Sequence, residues 1–168
     1  TRPWEAGFMK RLLNGFLLLS LLTVVVTTMT GCTLGRARIG ITVNPDPLLI
    51  DFNKSEIEGT VTLTLDGLGS FTVDEIGLDY IDAQGQRIEG EGLPQGGKLT
   101  QSISLVGTMG VVRKTLPLKG VLGAEGVKIR NEWWLPGALH PASCRMTLLD
   151  ISGRVVGAGS VGLKWHPY

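Results

Sequence analysis

From about position 38 onward the chain alternates. In Thr60-Val61-Thr62-Leu63-Thr64-Leu65, hydroxyl and aliphatic side chains take turns. Ile76, Leu78 and Tyr80 share one phase, with Gly77, Asp79 and Ile81 in the other. The same period of two recurs in Ser102-Ile103-Ser104-Leu105, around Met146 and Leu148, and through Val161, Leu163 and Trp165. Successive side chains of a strand point to opposite faces, so each pattern predicts one face in a core and one in water. No window after Cys32 carries a convincing helical period. Between the runs lie turn signals: Asp66-Gly67, Asp82-Ala83-Gln84-Gly85, residues 94–97, and Asp150-Ile151-Ser152-Gly153. In the two four-residue units Asp can bond backbone amides and Gly can take positive φ, which suits a hairpin. Pro136-Gly137 and Pro141 bracket a further loop before Cys144.

Seven or eight strands at this spacing, with no crossover helix, predict an all-β fold, an antiparallel β-sandwich. The arrangement resembles bacterial immunoglobulin-like or fibronectin-type-III-like modules. Residues 60–65 would be a second strand, 76–85 a strand plus turn, and 144–165 a closing hairpin. The resemblance spans residues 38–166 and implies an immunoglobulin-like topology. It departs from antibody-type domains in two ways: Cys144 has no partner cysteine, and no tryptophan stands in the expected central strand. A jelly roll or small barrel shows similar alternation.

The first thirty-odd residues follow another rule. Met9 is followed by Lys10 and Arg11, then Leu12-Leu13, Phe16-Leu17-Leu18-Leu19 and an apolar stretch from Leu21 to Val26. A cationic flank before an apolar run is the order of an export signal. The run, roughly fifteen residues, is shorter than the roughly twenty a permanent span needs. The true start is expected at Met9, with residues 1–8 upstream of it. The stretch ends in Met29-Thr30-Gly31-Cys32, which resembles the lipobox of bacterial prolipoproteins. Thr30 and Gly31 fit its small positions; Met29 replaces the usual leucine. The resemblance implies peptidase recognition of Met29, Thr30 and Gly31, cleavage before Cys32, and lipid on the Cys32 thiol and freed amine. Two or more acyl chains anchor stably where one binds marginally. Thr33, a non-aspartate, is similar to outer-membrane cargo of bacteria with two membranes. The expected organisation is therefore a helical signal segment over residues 1–31, a lipidated tether over 32–37, and a β domain over 38–168. The expected location is exported and membrane-anchored.

Composition narrows the partners. At 43% hydrophobic and 18% charged, the chain can build a core and is not disordered by composition. Residues 1–31 carry Arg2, Lys10 and Arg11 against Glu5, a net +2, which leaves −1 for the rest of a chain whose total is +1. A nearly neutral domain gives no electrostatic reason to expect nucleic acid.

Candidate chemistry is sparse. Once Cys32 is lipidated, Cys144 is the remaining thiol, with His140 the nearest base in sequence; a buried structural thiol is the favoured reading. Gly157, Gly159 and Gly162 satisfy a dinucleotide-binding glycine pattern, but a strand follows them where that motif needs a helix. They are expected to mark a bulge or a close backbone approach. Asp46, Asp51, Asp79 and Asp82 lack calcium-loop spacing, and His140 and His166 lack zinc-site company, so no metal or cofactor is expected. Asn53-Lys54-Ser55 matches a glycosylation acceptor, of little weight in a bacterial chain. Trp133-Trp134 is the main surface candidate: in a strand one indole would enter the core and the other could meet a ligand or partner. These observations predict a non-catalytic structural or interaction module of the envelope. The alternatives are a carbohydrate- or other ligand-binding module using Trp133 or Trp134, and, more weakly, an enzyme with a loop-assembled site.

Overall fold

A computed structural model of the chain describes residues 37–89, 92–133 and 140–167. The lipobox residues Met29, Thr30, Gly31 and Cys32, the signal segment, and Trp134 lie outside the described residues. The chain divides into two units, Thr1–Arg36 and Ala37–Tyr168, and the second holds all the described elements.

Nine strands form that unit: β1 (Arg38–Asn44), β2 (Leu48–Asp51), β3 (Thr60–Asp66), β4 (Gly69–Ile81), β5 (Arg87–Ile88), β6 (Gly96–Gly107), β7 (Val111–Pro117), β8 (Ser143–Leu149) and β9 (Val155–His166). A helical segment, α1 (Leu118–Gly126), and a 3-10 turn (Asn131–Trp133) fill the chain between β7 and β8. Each period-two run falls in a strand. In β3, Val61, Leu63 and Leu65 are fully buried while the threonines face outward. The Asp-Gly turns form as their chemistry requires. Asp82 Oδ1 accepts from the amides of Gln84 and Gln86, and Gly85 takes φ 85°. Asp150 Oδ1 accepts from the amides of Ser152 and Arg154, and Gly153 takes φ 76°.

The expected antiparallel, immunoglobulin-like sandwich is corrected by the pairing. The strands form one mixed, hydrogen-bonded sheet in the order β5-β4-β8-β9-β1-β3-β7, with β6 also on β4 and β2 also on β9. Two of these pairings are parallel. β1 meets β9 at Ile39↔Gly157 and Gly40↔Ala158, and β2 meets it from Leu48↔Leu163 to Asp51↔His166. The cause is local. Pro45 and Pro47 end β1, and the chain resumes in the same direction further along β9 as β2. Asp46 holds the crossing, its Oδ1 accepting from the Gly162 amide at 2.8 Å. The sheet curls around one apolar core drawn from β1, β2, β3, β4, β6, β8 and β9 and closed by Leu118, Val121 and Trp133.

The expectation of strands alone is also corrected by α1. It buries Leu118 and Val121, one turn apart, and is broken at Gly123, where φ is 75°. With glycines at 120, 123 and 126 it has little helical propensity of its own. Tertiary burial of those two side chains holds it. Among the described residues no helix is long and apolar enough to cross a membrane.

Candidate functional site

Phe52, Trp133, His140 and Trp165 converge at one end of the sheet, where β4 and β9 finish and β8 begins. Trp165, on the core phase of β9, donates its indole Nε1–H to Pro141 O at 2.8 Å. Phe52 stacks on it with ring centroids 6.1 Å apart, and Trp133 meets it edge-on at 6.5 Å. His140 tilts against Trp165 at 4.6 Å, and its Nε2 lies 2.9 Å from Trp133 O. On the far side of this cluster Tyr80 donates its hydroxyl to Pro94 O at 2.7 Å. Burial raises the Tyr80 phenol well above its ordinary pKa, with a smaller contribution from Cys144.

Trp133 differs from the sequence expectation. It sits in the 3-10 turn rather than in a strand, and its side chain is 5% exposed. Trp133 is the indole of the pair that enters the core, its ring lying within the core cluster. Unlike Trp165, however, its Nε1–H is buried with no hydrogen-bond partner among the described residues. That edge lies against Gly92, where a Cβ would come 3.2 Å from Nε1. Gly92 in turn lines an open groove of about 480 Å³, with Trp133 in its wall. Leu93, Pro94 and Leu122 give the groove apolar walls, and Gln95, Glu125 and Arg130 give it polar ones. Glu125 pairs with Lys128 at 2.5 Å, which lowers its carboxyl pKa. Arg130 reaches Glu132 at 3.7 Å. A buried donor without an acceptor costs about 1–3 kcal/mol, so this one is worth an explanation.

Cys144 lies beneath the same cluster, in the wall of a small apolar void of about 30 Å³ with Met146 and Leu118. Burial, with the nearby Asp79 carboxylate second, pushes the thiol up to about 12. Its Sγ–H points to Arg145 O at 3.8 Å. The geometry makes Cys144 a packed thiol and engages His140 with Trp133 and Trp165.

The other candidates are dispersed. Asp46 binds the Gly162 amide, Asp51 accepts from Asn53, Asp79 pairs with Arg87 at 3.0 Å, and Asp82 holds its turn. Among the described residues no three His, Cys, Asp or Glu side chains gather as a metal site. The glycine triplet packs against backbone. A Cβ on Gly157 would lie 2.4 Å from Ile39 O, and one on Gly159 would lie 2.2 Å from Ile41 Cγ2 and 2.4 Å from Ile41 O. The groove itself was not legible in the sequence, because residues 92–96, 122–130 and 133 meet only through the fold. The one local signal was the tryptophan pair.

No protein-family model and no curated protein sequence matches the chain. Among solved structures it is similar to the Pseudomonas fluorescens alkylpurine DNA glycosylase AlkC bound to DNA containing an abasic site analog. That similarity has a TM-score of 0.40 and 15% identity, covering 76% of this chain and 30% of that one. It is also similar to the structural genomics target SoR45, at TM-score 0.36 and 11% identity, covering 77% of this chain and 88% of that one. A third similarity is to β-glucosidase from Listeria innocua in complex with glucose, at TM-score 0.32 and 12% identity, covering 76% of this chain and 16% of that one. This chain thus spans less than a third of the length of either enzyme. Similarities of this extent carry no functional assignment.

Proposed function

We propose that the chain is an exported lipoprotein, held to a membrane through Cys32, whose β unit is a non-catalytic interaction module of the cell envelope. The Met29-Thr30-Gly31-Cys32 motif behind a cationic and apolar leader supports the anchor. The unpartnered Trp133 Nε1–H at the wall of the groove supports the binding role, and it is the observation that carries the reading. Among the described residues this donor has no acceptor, and a partner's oxygen in the groove would supply one. Gly92 is its thin cover, and a small displacement there admits a peptide carbonyl oxygen. Leu93, Pro94 and Leu122 would then flank the partner's side chains, with Glu125 and Arg130 at the rim.

A carbohydrate is the second reading. A sugar hydroxyl accepts from Nε1–H and can donate to Glu125, although stacking on the face of Trp133 is closed by its burial.

A photo-crosslinker placed at Gln95 in intact cells tests the proposal. A discrete protein adduct is expected, abolished in Trp133→Phe. That variant keeps its fold, because relief of an unsatisfied donor penalty of about 1–3 kcal/mol offsets the poorer packing of the smaller ring. Absence of an adduct, or adducts indifferent to Trp133→Phe, would overturn the binding role. A glycan-array signal sensitive to Trp133→Phe would move the assignment to the second reading. An unmodified Cys32 in the mass spectrum of the membrane fraction would remove the anchor.

A further inference from the structure

The opposite end of the β unit carries most of the exposed large apolar side chains. Among the described residues seven large hydrophobic side chains are exposed: Leu49, Leu68, Val106, Met109, Val111, Ile151 and Val155. All but Leu49 belong to one end, which makes them a surface rather than scattered residues. The strand registers bring them together. Asp66 pairs with Arg38 and with Val111, which sets the β3–β4 turn beside the start of β1 and the start of β7. A Cβ on Gly107 would lie 2.3 Å from Gly67 O, so the β6–β7 turn abuts the β3–β4 turn. A Cβ on Gly69 would lie 3.4 Å from the Ala37 Cβ. Because β1 runs parallel to β9 at Ile39↔Gly157, Val155 and the turn before it also belong to this end. Met109 and Ile151 stand at the two turn tips, 94% and 90% exposed.

Ala37, where the described chain enters the unit, is therefore at the apolar end. Cys32 precedes it by five residues, a reach of roughly 17 Å when fully extended. We infer that this end is seated on the bilayer, with Leu68, Met109 and Ile151 inserted among the lipid headgroups. The inference rests on the proposed anchor at Cys32. Lipid there holds the turns within reach of the interface, where exposed apolar side chains are buried at no cost in translational freedom. Arg38, Arg113 and Arg154 stand against Asp66 and Asp150 at this end, a net charge of only +1, so apolar contact is the main draw to the surface.

Full-length protein extracted from membranes and reconstituted in vesicles containing brominated lipid tests the inference. A fluorescent label is attached at Met109→Cys, at Ile151→Cys and, as the water-facing control at the other end, at Leu49→Cys. Buried Cys144 does not compete for label. Labels at Met109 and Ile151 are expected to be quenched severalfold more than the label at Leu49. A lipidated Cys32 in the mass spectrum with all three labels equally unquenched would overturn the seating and leave the anchor standing. An unmodified Cys32 would overturn the anchor and the seating with it. Self-quenching that rises with protein density, without lipid quenching, would assign the surface to a second copy and overturn the seating as well.

Discussion

Gly157 and Gly159 illustrate how much one missing carbon can matter. Both stand where β9 comes up against β1, and a Cβ at Gly159 would press on the Ile41 side chain and carbonyl at once. The carbonyl belongs to a paired strand and cannot yield alone. Gly159→Ala is expected to lower unfolding free energy by about 3 kcal/mol, the upper part of the range for overpacking. Gly77→Ala, with nothing nearer than 3.9 Å, is the control expected to stay close to wild type in urea denaturation. Cys144 makes the second case at this scale. Its pKa is raised from 9.0 to about 12 by burial, so the folded thiol stays protonated while an unfolded one ionises. The unfolded state then binds fewer protons, and stability falls as pH rises through that window, being complete below it. The urea midpoint is expected to drop between about pH 8 and about pH 10.5, and to drop less in Cys144→Ala. Native protein is expected to resist alkylation at neutral pH.

At the scale of elements, β7 is the outer strand of the sheet path and so presents unpaired backbone. Its pattern contains its protection. Lys114 pairs with Leu63, and directly paired residues share a face, so a lysine takes the inward phase between half-buried Val112 and Leu116 at the edge and carries its charge out to solvent. An inward charge at an edge blocks the addition of another strand. Lys114→Val is expected to increase apolar burial yet promote association, seen as a larger species in light scattering. The alternation of β3, β4, β8 and β9 was legible because one face of each is buried and the other is not. Two elements were hidden for physical reasons. Residues 118–126 show no helical period because three glycines dilute it, and packing supplies what propensity lacks. The parallel contacts of β1 and β2 with β9 leave no trace in either strand's own pattern, since side-chain alternation is blind to strand direction. The sandwich expectation failed on that point.

Across the β unit as a whole, the two ends differ in kind. One presents Leu68, Met109 and Ile151 beside the entry of the chain; the other carries the aromatic cluster and the groove over Trp133. Neither end was legible as a surface. Each is assembled from turns far apart in sequence, and their grouping depends on strand length and register. Trp133 shows the limit most clearly. The sequence marked it as interesting through its neighbour Trp134, whereas its interest in the fold is an N–H without a partner among the described residues.

One strand joins these two ends. β4 runs thirteen residues without a break in the chain, from Gly69 beside Ala37 to Ile81 beyond Tyr80. At about 3.3 Å per residue it spans roughly 40 Å. It acts as a ruler: if the turns at one end rest on a bilayer, β4 fixes the height at which the groove meets whatever the envelope brings to it. Ile76, Leu78 and Tyr80 keep one phase, and the irregularity between Val73 and Glu75 returns Val73 to the same side, so any change in the length of the regular part of β4 must keep that phase and be matched in β8 and β9.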